Sequence, residues 1–200
     1  RLNEIADFSL GITPYDKHRG HTQEIIKERA FHSELKINEN YKPLITGENI
    51  TRYYTKTKSE EFIKYGEWLG AKRDERFFNA PRILIRQIVS GNPLRIYSSY
   101  SESAQYFTQI GFGIIPKEIE KYKVKYLLVL LNSKLINFYH KYMFLDLEKE
   151  LFQKILTANC KKFPIKKLAI TQQIPFVEKA DKMLSLNKDL QEAASKFQRT

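Results

Sequence analysis

The sequence predicts an α+β fold in which a small, curved, mostly antiparallel sheet packs on a long helix, with a further helix projecting at the C-terminus. Three observations carry this. Arg82 to Val89 alternates β-branched and polar residues, and a turn at Ser90-Gly91-Asn92-Pro93 leads into a second run, Leu94 to Tyr97, the clearest hairpin in the chain. From Ile119 the apolar period lengthens from two to 3.6, so that Val124, Leu127, Leu128, Leu131, Leu135, Phe138, Tyr139 and Tyr142 fall on one helical face, read as core. In the tail, Phe176, Met183, Leu186, Leu190, Ala193 and Phe197 approximate a heptad seam.

The remaining elements follow in chain order. Leu2 to Leu10 alternates weakly before Gly11 and Pro14, as a strand or short helix ending in a turn does. Asp16 to Asn40 is polar, with a short helix expected around Gln23 to Ala30. Lys42 to Tyr53 carries two apolar pairs punctuated by Pro43 and Gly47, which suits a strand followed by a tight turn or a single helical turn. Short strands are expected at Ala104 to Thr108 and Phe112 to Ile115, closed by Pro116. The long helix spans Glu118 to Tyr142. Leu147 to Leu156 is a second amphipathic segment, and Pro164 makes Lys161 to Leu168 a strand or extended exit. The tail helix runs from Gln172 to Arg199, with Pro175 in its first turn, where proline is tolerated. A seam this short is not stable alone and requires a partner helix.

Composition bounds the class. Thirty-four Lys and Arg against twenty-three Asp and Glu leave a net charge of +11, and 42% hydrophobic residues supply an ordinary core. A basic chain with tyrosines and amides between its charges, and no recognisable catalytic set, reads as a polyanion binder, with nucleic acid the commonest such partner. One cysteine, Cys160, excludes an internal disulfide framework, fits a reducing cytoplasm and reads as a buried thiol. No apolar run approaches the roughly 20 residues a bilayer requires, so no membrane partner is expected. The chain begins at Arg1 without methionine, as a piece of a larger polypeptide would.

Catalytic signals are absent. No Gly-rich phosphate loop follows a strand. His18 and His21 lack a spaced third ligand, so no metal site is expected. Asp146 and Glu150 beside lysines leave a metal-dependent nuclease as a rival, but no Glu-x-Lys strand accompanies them, and the run reads as a solvated helix start. A protein-interaction module built on the tail helix is the second rival.

The binding signals are stronger. Six basic residues (Lys72, Arg73, Arg76, Arg82, Arg86, Arg95) face only Asp74 and Glu75 across the hairpin region. Arg presents a fork that pairs with guanine O6 and N7, and Gln and Asn pair with adenine N6 and N7. Arg86, Gln87, Arg95, Gln105 and Gln109 are therefore the candidate base readers. Lys17, Arg19, Lys56, Lys58, Lys72 and Arg73 are the candidate phosphate contacts that set register, while Lys134 reads as a helix-surface charge.

The order of motifs adds a resemblance. Gly11-Ile12-Thr13-Pro14, the unit from Leu44-Ile45-Thr46-Gly47-Glu48-Asn49 to Ile50-Thr51-Arg52-Tyr53, and Pro81-Arg82-Ile83-Leu84-Ile85-Arg86 occur in sequence. Leu130-Leu131-Asn132-Ser133-Lys134-Leu135 and Phe163-Pro164-Ile165 follow. Over residues 2–168 the chain resembles the TaqI-like C-terminal specificity domain of bacterial restriction-modification enzymes, and its closing helix resembles the spacer helix after such domains. The resemblance implies a non-catalytic target recognition domain (1–168, then a spacer-like helix 169–200) that docks in the major groove of double-stranded DNA. It implies a parent adenine-N6 methyltransferase using S-adenosylmethionine, often fused to a nuclease that would use magnesium. The methyltransferase region of the parent chain is then the second partner. Asn79-Ala80-Pro81-Arg82 lacks the second proline and the aromatic of the methyltransferase Asn-Pro-Pro-Tyr motif, so cofactor and catalysis belong outside this segment. Base-reading positions vary with target in this family, so the resemblance transfers no contact residue.

Overall fold

The computed structural model describes residues 1–56, 59–91, 93–148 and 153–197, without the side chains of 195 and 196. The predicted contact Lys58, the turn residue Asn92 and the rival's Glu150 lie outside these. Among the described residues eight strands form: β1 (Ala6–Leu10), β2 (His32–Ser33), β3 (Tyr41–Ile45), β4 (Glu61–Lys64), β5 (Arg82–Arg86), β6 (Ser98–Ser101), β7 (Tyr106–Phe107) and β8 (Gly111–Pro116). Helices are α1 (Leu2–Ile5), α2 (Gln23–Lys27), α3 (Arg76–Asn79), α4 (Val124–Asn132), α5 (Lys134–Phe144), α6 (Thr157–Cys160) and α7 (Ile170–Phe197). The strands form two four-stranded sheets, ordered β1-β8-β5-β6 and β2-β4-β3-β7. All pairings are antiparallel except β3 with β7.

β5 holds the two layers together. Its alternation sends Ile83 and Ile85 into a core closed by α4 and α5, and Leu84 into a second core under the other sheet. The second core is aromatic, with Phe78 stacked on Tyr106 at 4.9 Å and Tyr65 edge-on to Tyr106 at 4.8 Å. Two glycines permit close chain crossings. A Cβ on Gly11 would sit 1.9 Å from the Thr108 carbonyl oxygen, and one on Gly111 would sit 2.6 Å from that of Ile85. The requirement for glycine at the head of the Gly11-Ile12-Thr13-Pro14 run is thus steric.

The hairpin predicted from Arg82 exists, but its second strand lies later than expected. Ile85 pairs with Ser98 and Arg82 with Ser101, while Leu94 to Tyr97 belongs to the connection. An isolated Ser90–Arg95 bridge closes that connection. Serines make an unpromising strand in isolation; here Ser98 and Ser99 are both buried, Ser99 bonded through its hydroxyl to Thr55, and tertiary pairing with β5 overrides propensity.

The single long helix expected over Glu118 to Tyr142 is two helices. Ser133 adopts an extended backbone (φ −66°, ψ 153°), and its hydroxyl accepts from the Ile136 N–H at 3.2 Å, capping α5. Asn132 is buried and donates its amide to the Ser98 carbonyl at 2.9 Å. The break rotates α5, so Ile136 and His140 pack inward while Leu135, Phe138 and Tyr142 face solvent. These three are therefore not core.

Residues 153–155 run beside 87–89, with Ile155 N–H donating to the Gln87 carbonyl at 2.8 Å, in place of the end of an amphipathic helix. Residues 162–169 carry no regular secondary structure. α7 begins earlier than expected, at Ile170, so Pro175 is its sixth residue and not in its first turn. Its partner helix is α4: Phe176 packs edge-on to Tyr126 at 5.4 Å, and Lys125 pairs with Asp181 at 2.5 Å. Gln173, fully buried, donates to the carbonyls of Lys121 (2.8 Å) and Leu168 (2.9 Å) and accepts from the Lys123 N–H. Of the expected seam, Phe176 packs on the core, whereas Met183, Leu186, Leu190 and Phe197 are exposed. No helix among the described residues is long and apolar enough to cross a membrane.

His140 gives the fold a pH signature. It is buried against Phe144 and Phe163, its Nε2 has no hydrogen-bond partner among the described residues, and burial lowers its pKa to about 4. The unfolded chain takes up that proton near pH 6.5 and the folded chain does not. The stability His140 supports is therefore complete above pH 6.5 and is lost as pH falls toward 4. His32, half-buried, shifts in the same direction. Thermal unfolding of His140→Leu across pH 4–7 is expected to show a flatter dependence than the wild type; parallel curves would contradict this.

Candidate nucleic-acid interface

An open groove of about 890 Å³ lies where the C-terminal end of β5 meets the second sheet. Thr13, Thr46, Glu48, Arg86, Gln87, Gln109 and Lys154 supply its polar lining, and Ile12, Ile88 and Ile110 its apolar floor. β5 delivers Arg86 on the same face as Leu84, and the arginine stem runs past Gly47 within ordinary contact range. The guanidinium is held in place: Nε donates to the Ile88 carbonyl at 3.1 Å, Nη2 donates to the Ser90 hydroxyl, and the fork lies 4.1 Å over the Tyr97 ring. Gln87 is fixed through its backbone, whose N–H donates to the Ile110 carbonyl at 2.9 Å. Gln109 is exposed and donates to Thr13 Oγ1 at 2.9 Å, leaving its amide oxygen at the surface.

The Thr46–Asn49 turn forms the facing wall. Asn49 Oδ1 accepts from the Thr46 N–H at 2.7 Å and from its hydroxyl at 2.9 Å, which fixes a one-turn 3₁₀ helix, Gly47–Asn49, and exposes Glu48. Sequence reasoning missed Glu48, Lys154 and Thr13. The first was within reach, because a Thr-x-x-Asn turn between apolar pairs presents its middle residues outward. Lys154 was not, since its placement depends on 153–155 running beside 87–89.

The five candidate base readers do not stay together. Arg86, Gln87 and Gln109 share the groove. Arg95 lines a separate groove on the far side of the 87–97 connection. Gln105 is only 2% exposed; Ser101 Oγ donates to its amide oxygen at 2.6 Å and its amide nitrogen donates to the Lys56 carbonyl at 3.4 Å. It is an interior residue and cannot meet a base edge in this conformation. The loop spacing that suggested exposure concealed a buried turn.

Lys58 apart, the candidate phosphate contacts sit on segments that flank the groove wall. Thr13 bridges to Ala71, which places Lys72 and Arg73 next in the chain, and Lys17 and Arg19 occupy a 3₁₀ turn just after Pro14. The Lys56 N–H donates to the Asn49 carbonyl at 2.9 Å, beside Glu48. Lys17, Arg19, Lys56 and Arg73 are exposed. Lys72 is partly neutralised by Glu67 at 2.7 Å, a solvent-screened surface pair that a phosphate can displace.

Arg82, in the basic cluster by sequence, is 0% exposed. It donates to the carbonyls of Ala80 (2.9 Å), Ser103 (3.0 Å) and Gln105 (3.2 Å), and burial lowers its pKa to about 10. Its task is to satisfy the backbone of two loops. His21 is likewise structural: Nδ1 accepts from the Asp16 N–H and Nε2 donates to the Trp68 carbonyl, both at 2.8 Å. Cys160 is buried, which raises its thiol pKa far from the reactive range. Asp146 Oδ1 accepts from the Glu148 N–H at 3.1 Å in a local turn. Among the described residues no group of three His, Cys, Asp or Glu side chains is placed to hold a metal ion. Arg82→Ala is expected to cost roughly 3–5 kcal/mol, because it orphans three carbonyls and leaves a cavity. Chemical denaturation checks this, and a loss below about 1 kcal/mol would refute the structural role.

Comparison with known proteins places the family and the fold. The family model of the TaqI-like C-terminal specificity domain matches residues 42–165. No curated protein sequence matches. Among solved structures, the HsdS subunit from Thermoanaerobacter tengcongensis superposes with a TM-score of 0.58 at 14% identity, over 96% of this chain and 38% of that one. A chain of a structure described as "Structural basis underlying complex assembly and conformational transition of the type I R-M system" gives 0.55 at 14%, over 98% and 40%. This chain spans about two fifths of the length of these neighbours, and they share its fold. The match to well over half of the chain settles its family: it belongs to the TaqI-like C-terminal specificity domains.

Proposed function

We propose that this chain reads a short sequence in double-stranded DNA and thereby directs where a larger restriction-modification enzyme acts, performing no covalent step itself. The observation that carries the reading is the lining of the groove at the end of β5. Arg86 supplies a cationic fork, Gln87 and Gln109 supply amides that both donate and accept, and Glu48 supplies an acceptor, all on one open face. That mixture suits base edges. Arg matches guanine, Gln matches adenine, and a carboxylate accepts from the cytosine N4 amino group while repelling phosphates. The net charge of +11 supplies the attraction to the duplex that base readout then refines.

The groove's rim cations, Lys17, Arg19, Lys56, Lys72 and Arg73, hold phosphates and fix register. Residues 169–200 act as a spacer to the rest of the parent, and the exposed Met183, Leu186 and Leu190 of α7 supply an apolar seam for it. The parent carries an adenine-N6 methyltransferase region, with S-adenosylmethionine bound there and magnesium in any fused nuclease. Asn79 to Arg82 is unsuited to the methyl-transfer motif, because it ends α3 and enters β5 with Arg82 interior.

Binding-site selection with Gln109→Ala and with Glu48→Gln is expected to relax preference at one base pair each, by about 1–3 kcal/mol. Lys17→Ala and Arg19→Ala are expected to weaken all sequences alike and to lower the salt dependence of binding. If both groove variants selected the wild-type sequence with unchanged stringency, the groove would not be the reading surface.

A further inference from the structure

A second groove, of about 360 Å³, lies between α5 and the 87–97 connection, on the other side of that connection from the first. Among the described residues four cations line it, Arg52, Arg95, Lys134 and Lys141, and no carboxylate does. Elsewhere the surface cations of this chain commonly find acids: Lys72 with Glu67, Lys125 with Asp181, Lys167 with Glu4, Arg76 with Asp7 and Asp74. Among the described residues none of these four forms an ion pair. Beside them two rings face solvent, Phe138 at 61% and Tyr142 at 54% exposure, packed on one another at 4.6 Å, with Lys141 Nζ 5.3 Å from the Tyr142 ring.

The groove's amides are already used. Asn137 accepts from the Ile96 N–H at 2.7 Å and donates to the carbonyls of Leu131 and Ser133. Asn132 accepts from Arg52 Nε at 3.4 Å and donates to the carbonyls of Ser98 and Leu128. What remains is cationic donors and π faces. A polypeptide presents N–H donors as well as carbonyls and is poorly matched to a wall of donors. A second copy of this chain would bring the same positive charge. A phosphate attached to a flat base satisfies both components, and the paired bases of a duplex cannot reach a ring they are not free to stack on.

We infer that this groove binds an unpaired nucleotide unit, with its phosphate held by Arg95, Lys134 and Lys141 and its base stacked on Phe138 and Tyr142. The site is distinct from the duplex-reading groove and does not depend on it: a domain that failed to discriminate duplex sequences would still bind here. The shared 87–97 connection makes the two grooves neighbours along one surface loop.

The test is fluorescence-anisotropy titration of the whole chain with a labelled oligothymidylate, with an unlabelled duplex lacking single-stranded ends as competitor, and with thymidine 5′-monophosphate as a second competitor. Phe138→Ala is expected to weaken oligothymidylate binding roughly five- to a hundredfold, the range for loss of one base–aromatic stack. Lys141→Ala is expected to weaken it less and to lower its salt dependence. Both variants are expected to keep the wild-type melting temperature and, within about twofold, its duplex affinity. Displacement by the mononucleotide at micromolar to millimolar concentration identifies a free nucleotide as sufficient; its failure identifies a strand as the source, and either result agrees with the site. Unchanged oligothymidylate affinity in Phe138→Ala and Lys141→Ala would overturn it. So would loss of the same binding in Gln109→Ala, which would place single strands in the first groove. A Phe138→Ala chain that binds every nucleic acid normally but no longer associates with its parent's methyltransferase region would mark the surface as a protein contact and overturn the inference as well.

Discussion

The architecture depends on a strand that has no solvent face. β5 is covered by β8 and β6 at its edges, by the core of α4 on one side and by the aromatic core of the second sheet on the other. A strand buried on both faces is fixed in register by packing from two directions, so its ends become reliable fixed points. At one end Arg82 is held by three carbonyls; at the other, Arg86 leaves the core into the groove. Two arginines in the same motif thus have opposite fates because four residues along one strand separate the protein's interior from its surface.

A second junction ties two motifs that lie far apart in this sequence. Arg52, at the end of the Leu44–Tyr53 unit, donates Nη2 to the Asn132 carbonyl at 2.7 Å, and the Tyr53 N–H donates to the Ser98 carbonyl that also receives the Asn132 amide. Ser133 then caps the next helix. The asparagine and serine do not belong to a helix surface; they end one helix, start another and pin both to β6. Side chains with fewer hydrogen-bonding options could not serve these three elements at once.

Much of the fold was legible because periodicity is a local property. The β5 run, the Gly47 turn, the short helix near Gln23 and the switch to helical period at Ile119 are all written in consecutive residues. The break at Ser133 was not, because the apolar stripe continues through it at helical spacing; only the capping and the Asn132 bonds distinguish two helices from one. The same blindness made Leu135, Phe138 and Tyr142 look like core. The site was half legible. Arg86, Gln87 and Gln109 converge, but Gln105 is buried and Arg95 faces the other way, since residue type cannot report which side of a loop a side chain occupies. Glu48 was readable from its local turn, whereas Lys154 reaches the groove only because 153–155 runs beside 87–89, a pairing that no local pattern encodes.

The two grooves differ in a manner that fits different duties. The first mixes two cations, amides, hydroxyls and a carboxylate, as discrimination requires; the second offers cations and rings, as sequence-tolerant capture requires. The central claim is that the first groove meets base edges of a duplex. Backbone amide chemical-shift mapping during titration with the selected duplex tests it most directly. The account predicts that the largest shifts fall at Thr13, Thr46 to Glu48, Arg86 to Ile88 and Gln109, with smaller ones at Lys17 to Arg19. Shifts confined to another face, with these residues unmoved at saturation, would contradict it.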